Sequence, residues 1–279
     1  MRRERRLMPP DAHTITSHDA ALSTEAVGSG PLLIMVHGWT LDHRSFDLQV
    51  ESLAARFTVV TLDRRSYGQS TGKPDLWAEL DDLDAVINAY GGGSAHLLGV
   101  SQGGRLALRY AATRPQRVRS LILQGAVLDG YDAPDAPGES VPLAHFRELV
   151  SRGDIDQMRS EWLLHPLMRR GIGSAGQRAL LAAMVSDYHG QDLITAPTPD
   201  RDVDVAALLS AQSIPTLIVT GSLETDARKQ HAAHLLGVLS GSAEVVIEGA
   251  GHLSNLSHAS RYNELVMEFC CAIERRRGG

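Results

Sequence analysis

Cysteine is scarce: the 279 residues hold two, Cys270 and Cys271, side by side near the C-terminus. A bridge between neighbours would be badly strained, so a disulfide framework is excluded. Both are read as small core residues in the apolar helical pattern Leu265, Phe269, Ile273, which suits a reducing, cytoplasmic compartment. No run of about 18 apolar residues occurs, so no membrane-spanning helix is expected. MRRERRLMPP at the N-terminus is basic but lacks the apolar stretch of a signal peptide; it and the terminal RRRGG are read as frayed, solvated ends. Positive charge is not in excess either. Lys and Arg number 27 against 33 Asp and Glu, a net charge of −6, which argues against a nucleic-acid or anionic-membrane partner. Internal repeats, low-complexity blocks, a phosphate-binding P-loop and metal-ligand spacings are all missing, so neither metal nor cofactor is expected.

What is present is an ordinary globular composition, 43% hydrophobic and 22% charged, in a chain long enough to bury a sizeable core without staples. Thr14–Thr24 alternates weakly and predicts one or two edge strands. Leu32–Val36 is a continuous apolar run, the mark of a strand covered on both faces in a parallel sheet. Phe46–Ala55 reads as a helix, Phe57–Leu62 as a strand, Trp77–Tyr90 as a helix with acidic residues near its start. His96–Val100, Gln102–Thr113 and Val118–Gln124 continue the rhythm as strand, helix and strand. Alternation of this kind predicts an α/β fold with a mostly parallel sheet, in which ligands bind beyond the C-terminal strand ends.

The rhythm breaks after Leu128. Residues 128–207 carry no convincing strand but do carry helical patterns at His145–Arg152, Ile155–Leu164 and Gln177–Tyr188. We read them as a helical cap inserted between two parts of one core, 1–127 and 208–279. The sheet resumes with Pro215–Thr220 and Ala243–Ile247, separated by a helix at Ala227–Leu236, and a helix at Tyr262–Glu274 closes the domain.

At the end of one strand, Gly99-Val100-Ser101-Gln102-Gly103 fits the pattern G-x-S-x-G. So tight a strand-to-helix turn strains its central residue and exposes the Ser101 hydroxyl. Serine becomes a nucleophile only when a base takes its proton, and that base needs a third group to hold its tautomer. His252, directly after the last strand, is the expected base. Glu224, on the preceding strand's exit loop, is the expected acid, with Asp226 as the alternative. The backbone N–H groups of Gln102 and Trp39 are placed to receive an oxyanion.

Other residues take blander readings. His37 braces its loop, His96 lies in the core, His231 and His234 share a solvated helix face, and His258 is the rival base. Trp162, Leu163, Leu167, Met168, Met184 and Tyr188 suggest an apolar acceptor cavity under the cap, with Trp39 as a wall and His165 within reach of substrate.

With His37-Gly38-Trp39, Asp63-Arg64-Arg65-Ser66-Tyr67-Gly68-Gln69-Ser70, Gly99-Val100-Ser101-Gln102-Gly103-Gly104 and Gly249-Ala250-Gly251-His252 in register, the chain resembles the α/β-hydrolase superfamily from about residue 20 onward. Within it the chain looks most like the 3-oxoadipate enol-lactonase-like and small carboxylesterase group. The resemblance implies a cofactor-free enzyme with nucleophile Ser101, base His252 and oxyanion donors Trp39 and Gln102. Two positions depart from that pattern: Glu224 stands where relatives usually carry Asp, and Ser66 where they often carry Gly. Serine rather than aspartate at 101 argues against a haloalkane dehalogenase. The expected activity is hydrolysis of a small ester or lactone through an acyl-enzyme. C–C bond hydrolysis, perhydrolysis, a lyase or cyclase step, or plain ligand binding are alternatives on the same fold, and the oligomeric state is not readable.

Overall fold

A computed structural model describes residues 11–91, 93–196 and 201–278; the basic stretch Arg2–Arg6 lies outside them. The strands are β1 (Asp11–Ser17), β2 (Ala20–Val27), β3 (Leu32–Val36), β4 (Thr58–Leu62), β5 (Ala95–Val100), β6 (Val118–Gln124), β7 (Thr216–Gly221) and β8 (Ser242–Ile247). They form one sheet in the order β1-β2-β4-β3-β5-β6-β7-β8, antiparallel across β1-β2-β4 and parallel from there on. Every residue of β3, β5 and β7 is buried, because helices cover both faces. An uninterrupted apolar run is the sequence trace of such a strand.

One face is packed by α1 (Asp47–Leu53) and α12 (Ala259–Gly278), the other by α2 (Ala78–Ala89), α3 (Gln102–Thr113) and α10 (Asp226–Val238). Cys270 and Cys271 are both free, the first fully buried in the α12 face. That helix runs on through Arg275–Arg277 instead of fraying before them. Three cations in its last turn complement the negative end of the helix dipole, a gain the apolar periodicity does not register. No helix among the described residues is long and apolar enough to cross a membrane.

Between β6 and β7 lie α4 (Leu143–Ser151), α5 (Ile155–Leu164), α6 (Pro166–Arg169), α7 (Ala175–Asp187), α8 (Gln191–Ile194) and α9 (Val205–Ser210). Phe146, Met158, Leu167, Met184 and Leu193 carry the first five, one residue each, onto the core cluster above the α1 face. The last differs: Val205 and Leu209 of α9 join the opposite cluster, where α9 packs on α3 and α10. Polar clasps hold the cap down. Trp162 Nε1 donates to Thr40 Oγ1 at 2.7 Å, Ser66 Oγ to Gln191 Oε1 at 3.0 Å, and Gln177 Nε2 to the Leu256 carbonyl at 2.9 Å. Helices α6, α8 and the short α11 (Ser254–Ser257) span four residues each. That is barely one helical period, so they leave no periodic signal to read.

Candidate active site

Ser101 sits between β5 and α3 with φ 55° and ψ −115°, a conformation costing a non-glycine residue about 1–3 kcal/mol. The surrounding structure enforces it. The Ser101 amide donates to the Gln124 carbonyl on β6 at 2.7 Å, and the Arg105 amide returns to the Ser101 carbonyl at 3.0 Å. A methyl group on Gly103 would fall 2.1 Å from the Val36 carbonyl oxygen, so only glycine lets the first turn of α3 approach β3 this closely.

Gln102 opens α3, so its N–H is among the first-turn amides without a partner inside the helix. Its side chain is held from behind: Oε1 accepts from Arg64 Nη1 at 2.7 Å and from the Tyr67 hydroxyl at 3.2 Å. Arg64 is itself buried in a forked pair with Glu79, at 2.6 and 2.8 Å. The loop after β3 runs against the same turn, where a Cβ on Gly38 would meet Ser101 Cβ at 3.3 Å. His37 braces that loop. Its Nε2 accepts from the Arg64 amide at 2.9 Å and its Nδ1 donates to the Gly38 carbonyl at 2.8 Å, a pattern that only neutral imidazole satisfies. Burial, with the nearby Arg64 charge, pushes its pKa down to about 4.

Trp39 is fixed by the cap. Its Nε1 donates to Asp192 Oδ2 at 2.6 Å and to the Tyr188 hydroxyl at 3.1 Å, and its ring meets Trp162 edge-on at 4.9 Å. Asp192 has no sequence signature; it reaches the site only because α8 folds back over the loop after β3.

His252 follows β8 and is 4% exposed; Glu224, after β7, is 3% exposed. Their Nδ1 and Oε2 atoms are 2.6 Å apart. The other Glu224 oxygen accepts from the Thr225 amide at 2.7 Å. Burial alone would raise the Glu224 carboxyl pKa. Attraction and hydrogen bonding from His252, with the Thr225 amide, outweigh that and hold it below the usual range. Asp226, the other acid considered, is exposed at the start of α10, and its backbone amide donates to Glu139 Oε2 at 2.9 Å. His258, the rival base, bonds its neighbour Ser257 Oγ through Nδ1 at 2.9 Å.

Gly125, at φ +56°, leaves the room that the imidazole occupies: a methyl group there would fall 2.3 Å from His252 Cε1 and 2.5 Å from Nδ1. Gly125→Ala should therefore displace the ring and lower kcat by about 100-fold or more. Steady-state kinetics on the folded variant checks this, and near-normal turnover would show that the ring's position is not needed.

Ser101, Gln102, Trp39, Trp162 and His252 line one cavity of about 840 Å³. His165, Met184 and Tyr188, expected to touch substrate, are not among the residues lining it. Met184 is 1% exposed within the cap core, His165 caps α6 and stacks on Trp162, and Tyr188 packs between Tyr67 and Trp39 with its hydroxyl on Asp192. All three support the wall from behind. His231 is not on a solvated face: it is buried, its Nδ1 accepts from the Leu128 amide at 3.3 Å, and only His234 of that pair is exposed. One trio among the described residues, Asp42, His43 and Asp63, has ligand atoms close enough together for a metal ion. Its carboxylates are already engaged by Arg44, by His43 and by the Gln69 amide, so it reads as a brace between loops.

A mostly parallel sheet covered on both faces, a strained serine at the end of a central strand and a cavity roofed by an inserted helical layer define an α/β protein of the hydrolase type. The chain belongs to the α/β hydrolase fold family, whose model matches residues 31–259. It is 26% identical over 268 residues to the pimeloyl-[acyl-carrier protein] methyl ester esterase of Aeromonas hydrophila, covering 89% of this chain and 99% of that one. It is 28% identical over 252 residues to the 2-hydroxy-6-oxononadienedioate/2-hydroxy-6-oxononatrienedioate hydrolase of Klebsiella pneumoniae, covering 87% and 84%. A solved thermophilic esterase from Thermogutta terrifontis superposes with a TM-score of 0.78 at 25% identity, covering 95% of this chain and 99% of the other.

Proposed function

We propose that the protein is a serine hydrolase that cleaves a small carboxylic ester or lactone. The observation that carries this reading is the 2.6 Å contact between His252 Nδ1 and Glu224 Oε2, made by a histidine that lines the same cavity as Ser101. Glu224 holds the proton on Nδ1 and leaves Nε2 free as a base. Ser101 Oγ attacks the substrate carbonyl carbon while Nε2 takes the hydroxyl proton. The negative charge that forms on the carbonyl oxygen is met by the N–H groups of Trp39 and Gln102. One such donor is worth about 2.7–4 kcal/mol in the transition state. His252 then protonates the departing alkoxide, leaving an acyl group on Ser101. In the second half His252 deprotonates water, which attacks the acyl carbon; the acid is released and Ser101 recovers its proton. The esterase relatives support this reading.

A fluorophosphonate probe tests it. The wild type should be labelled and Ser101→Ala should not. An unlabelled wild type would sink the serine-nucleophile reading. C–C bond hydrolysis is the second reading, favoured by the similarity to the dienedioate hydrolase. Product analysis separates the two, because ester cleavage releases an alcohol and C–C cleavage does not.

A further inference from the structure

One of the cavity's cations combines a buried, unpartnered nitrogen with the lack, among the described residues, of a carboxylate partner. Arg228 stands in the first turn of α10 and lines the cavity that Ser101 and His252 share. Three neighbouring arginines there are matched by carboxylates: Arg64 by Glu79 at 2.6 Å, Arg105 and Arg109 by the two oxygens of Asp129 at 2.5 Å each. A fourth, Arg147, is exposed to solvent. Arg228 differs from all of these. Its Nε is buried without a hydrogen-bond partner, and among the described residues no carboxylate pairs with its guanidinium.

The surroundings are poor ones for an unpaired cation. Burial pushes the guanidinium pKa down, and the nearby Arg105 charge adds to that. The start of a helix disfavours positive charge as well. Glu224 and Asp135 attract it from a distance. Glu224 has both oxygens engaged, with His252 and Thr225, and Asp135 is exposed on the loop after β6. Arg228 is half-buried with its Nε out of reach of any partner; such a cation is incompletely satisfied, and an anion arriving in the cavity would relieve it.

We propose that Arg228 binds an ionised carboxylate of the substrate, so that the ester this cavity accepts is an acidic one. That wording rests on the ester-hydrolase reading; the anion site itself does not. A carboxylate fits better than a phosphate, because one guanidinium, with the Glu224 and Asp135 carboxylates acting on the same space from further off, can match a single negative charge but not a dianion.

The test uses Ser101→Ala protein, which binds without turning over, and isothermal titration. The probes are monomethyl esters of C4–C7 dicarboxylic acids, with the anion on the acyl side, and 4-acetoxybutyrate, with the anion on the alcohol side. Methyl pentanoate and butyl acetate are the uncharged controls. At least one acidic ester should bind about 10- to 100-fold more tightly than its control, as one charge-assisted contact provides. Arg228→Met should remove that preference and Arg228→Lys retain part of it; the acidic series that responds gives the side of the ester bond. Thermal melts verify that both variants fold. Equal affinity for acidic and uncharged esters, or a preference that survives Arg228→Met, would overturn the anion site. Wild-type turnover of the same esters reads the reaction separately. If no ester is hydrolysed while Arg228-dependent binding persists, the esterase reading fails and the anion site stands; hydrolysis without charge preference has the opposite meaning.

Discussion

Ser101→Ala is expected to lower kcat by about 10⁴- to 10⁶-fold, and His252→Ala by a similar factor. The double variant should be little worse than either single one, because nucleophile and base act as a unit. The fold should survive the serine change. The contacts that impose the strained turn are backbone ones, the Ser101 amide to Gln124 and the Arg105 amide to Ser101, and alanine keeps both. KM should change far less than kcat, since the cavity walls and the Trp39 and Gln102 amides remain. The residual rate above water should be that of the oxyanion donors and of binding alone. Pre-steady-state hydrolysis of an activated ester gives the sharpest measurement: a burst of one alcohol per wild-type protein, and none in either variant. A Ser101→Ala protein retaining a tenth of wild-type turnover would rule out the covalent route.

Glu224→Ala should lower kcat by about 10⁴-fold, while Asp226→Ala should stay within a few-fold of wild type. The two carboxylates are two residues apart in the chain but differ in surroundings. Glu224 is 3% exposed with one oxygen 2.6 Å from His252 Nδ1, whereas Asp226 lies open to solvent. Glu224→Gln is the cleaner probe, because an amide keeps the shape but can face the imidazole with N–H₂ and favour the wrong tautomer. It should lose nearly as much as alanine. Parallel steady-state kinetics on the three variants decides the matter. Equal or greater damage from Asp226→Ala would transfer the acid role to that residue.

How much of this was legible in the chain depends on how local each feature is. Strand β3 coincides with its apolar run, because full burial writes itself into consecutive residues, and β6 and α3 keep the bounds expected from their patterns. The Ser101 turn was legible because the strain and its relieving glycines lie within five positions. Ser66, where relatives often have glycine, does adopt positive φ, at 68°, and its hydroxyl clasps Gln191 of the cap. Cap-lining residues were legible only in part: Trp162, Leu167 and Met168 do line the cavity. Met184, His165 and Tyr188 have the character of a pocket wall, yet the packing angles of α5 to α8 set them one layer behind it. His231 misled for a related reason: helical spacing says which residues share a face, not which neighbour covers that face.

By itself the sequence determined the strand and helix rhythm, the strained serine at a strand end, and a histidine directly after the last strand, since each arises from contacts among residues near in the chain. Tertiary structure joined His252 to Glu224, the acid expected from the sequence, and not to the alternative Asp226, and it alone decided that Gly125 makes room for the ring, that Asp192 holds Trp39, and that Arg228 faces the cavity unpaired. These pairings join residues up to 153 positions apart. Nothing in the local pattern encodes them, because the sheet order and the fold of the cap choose the partners.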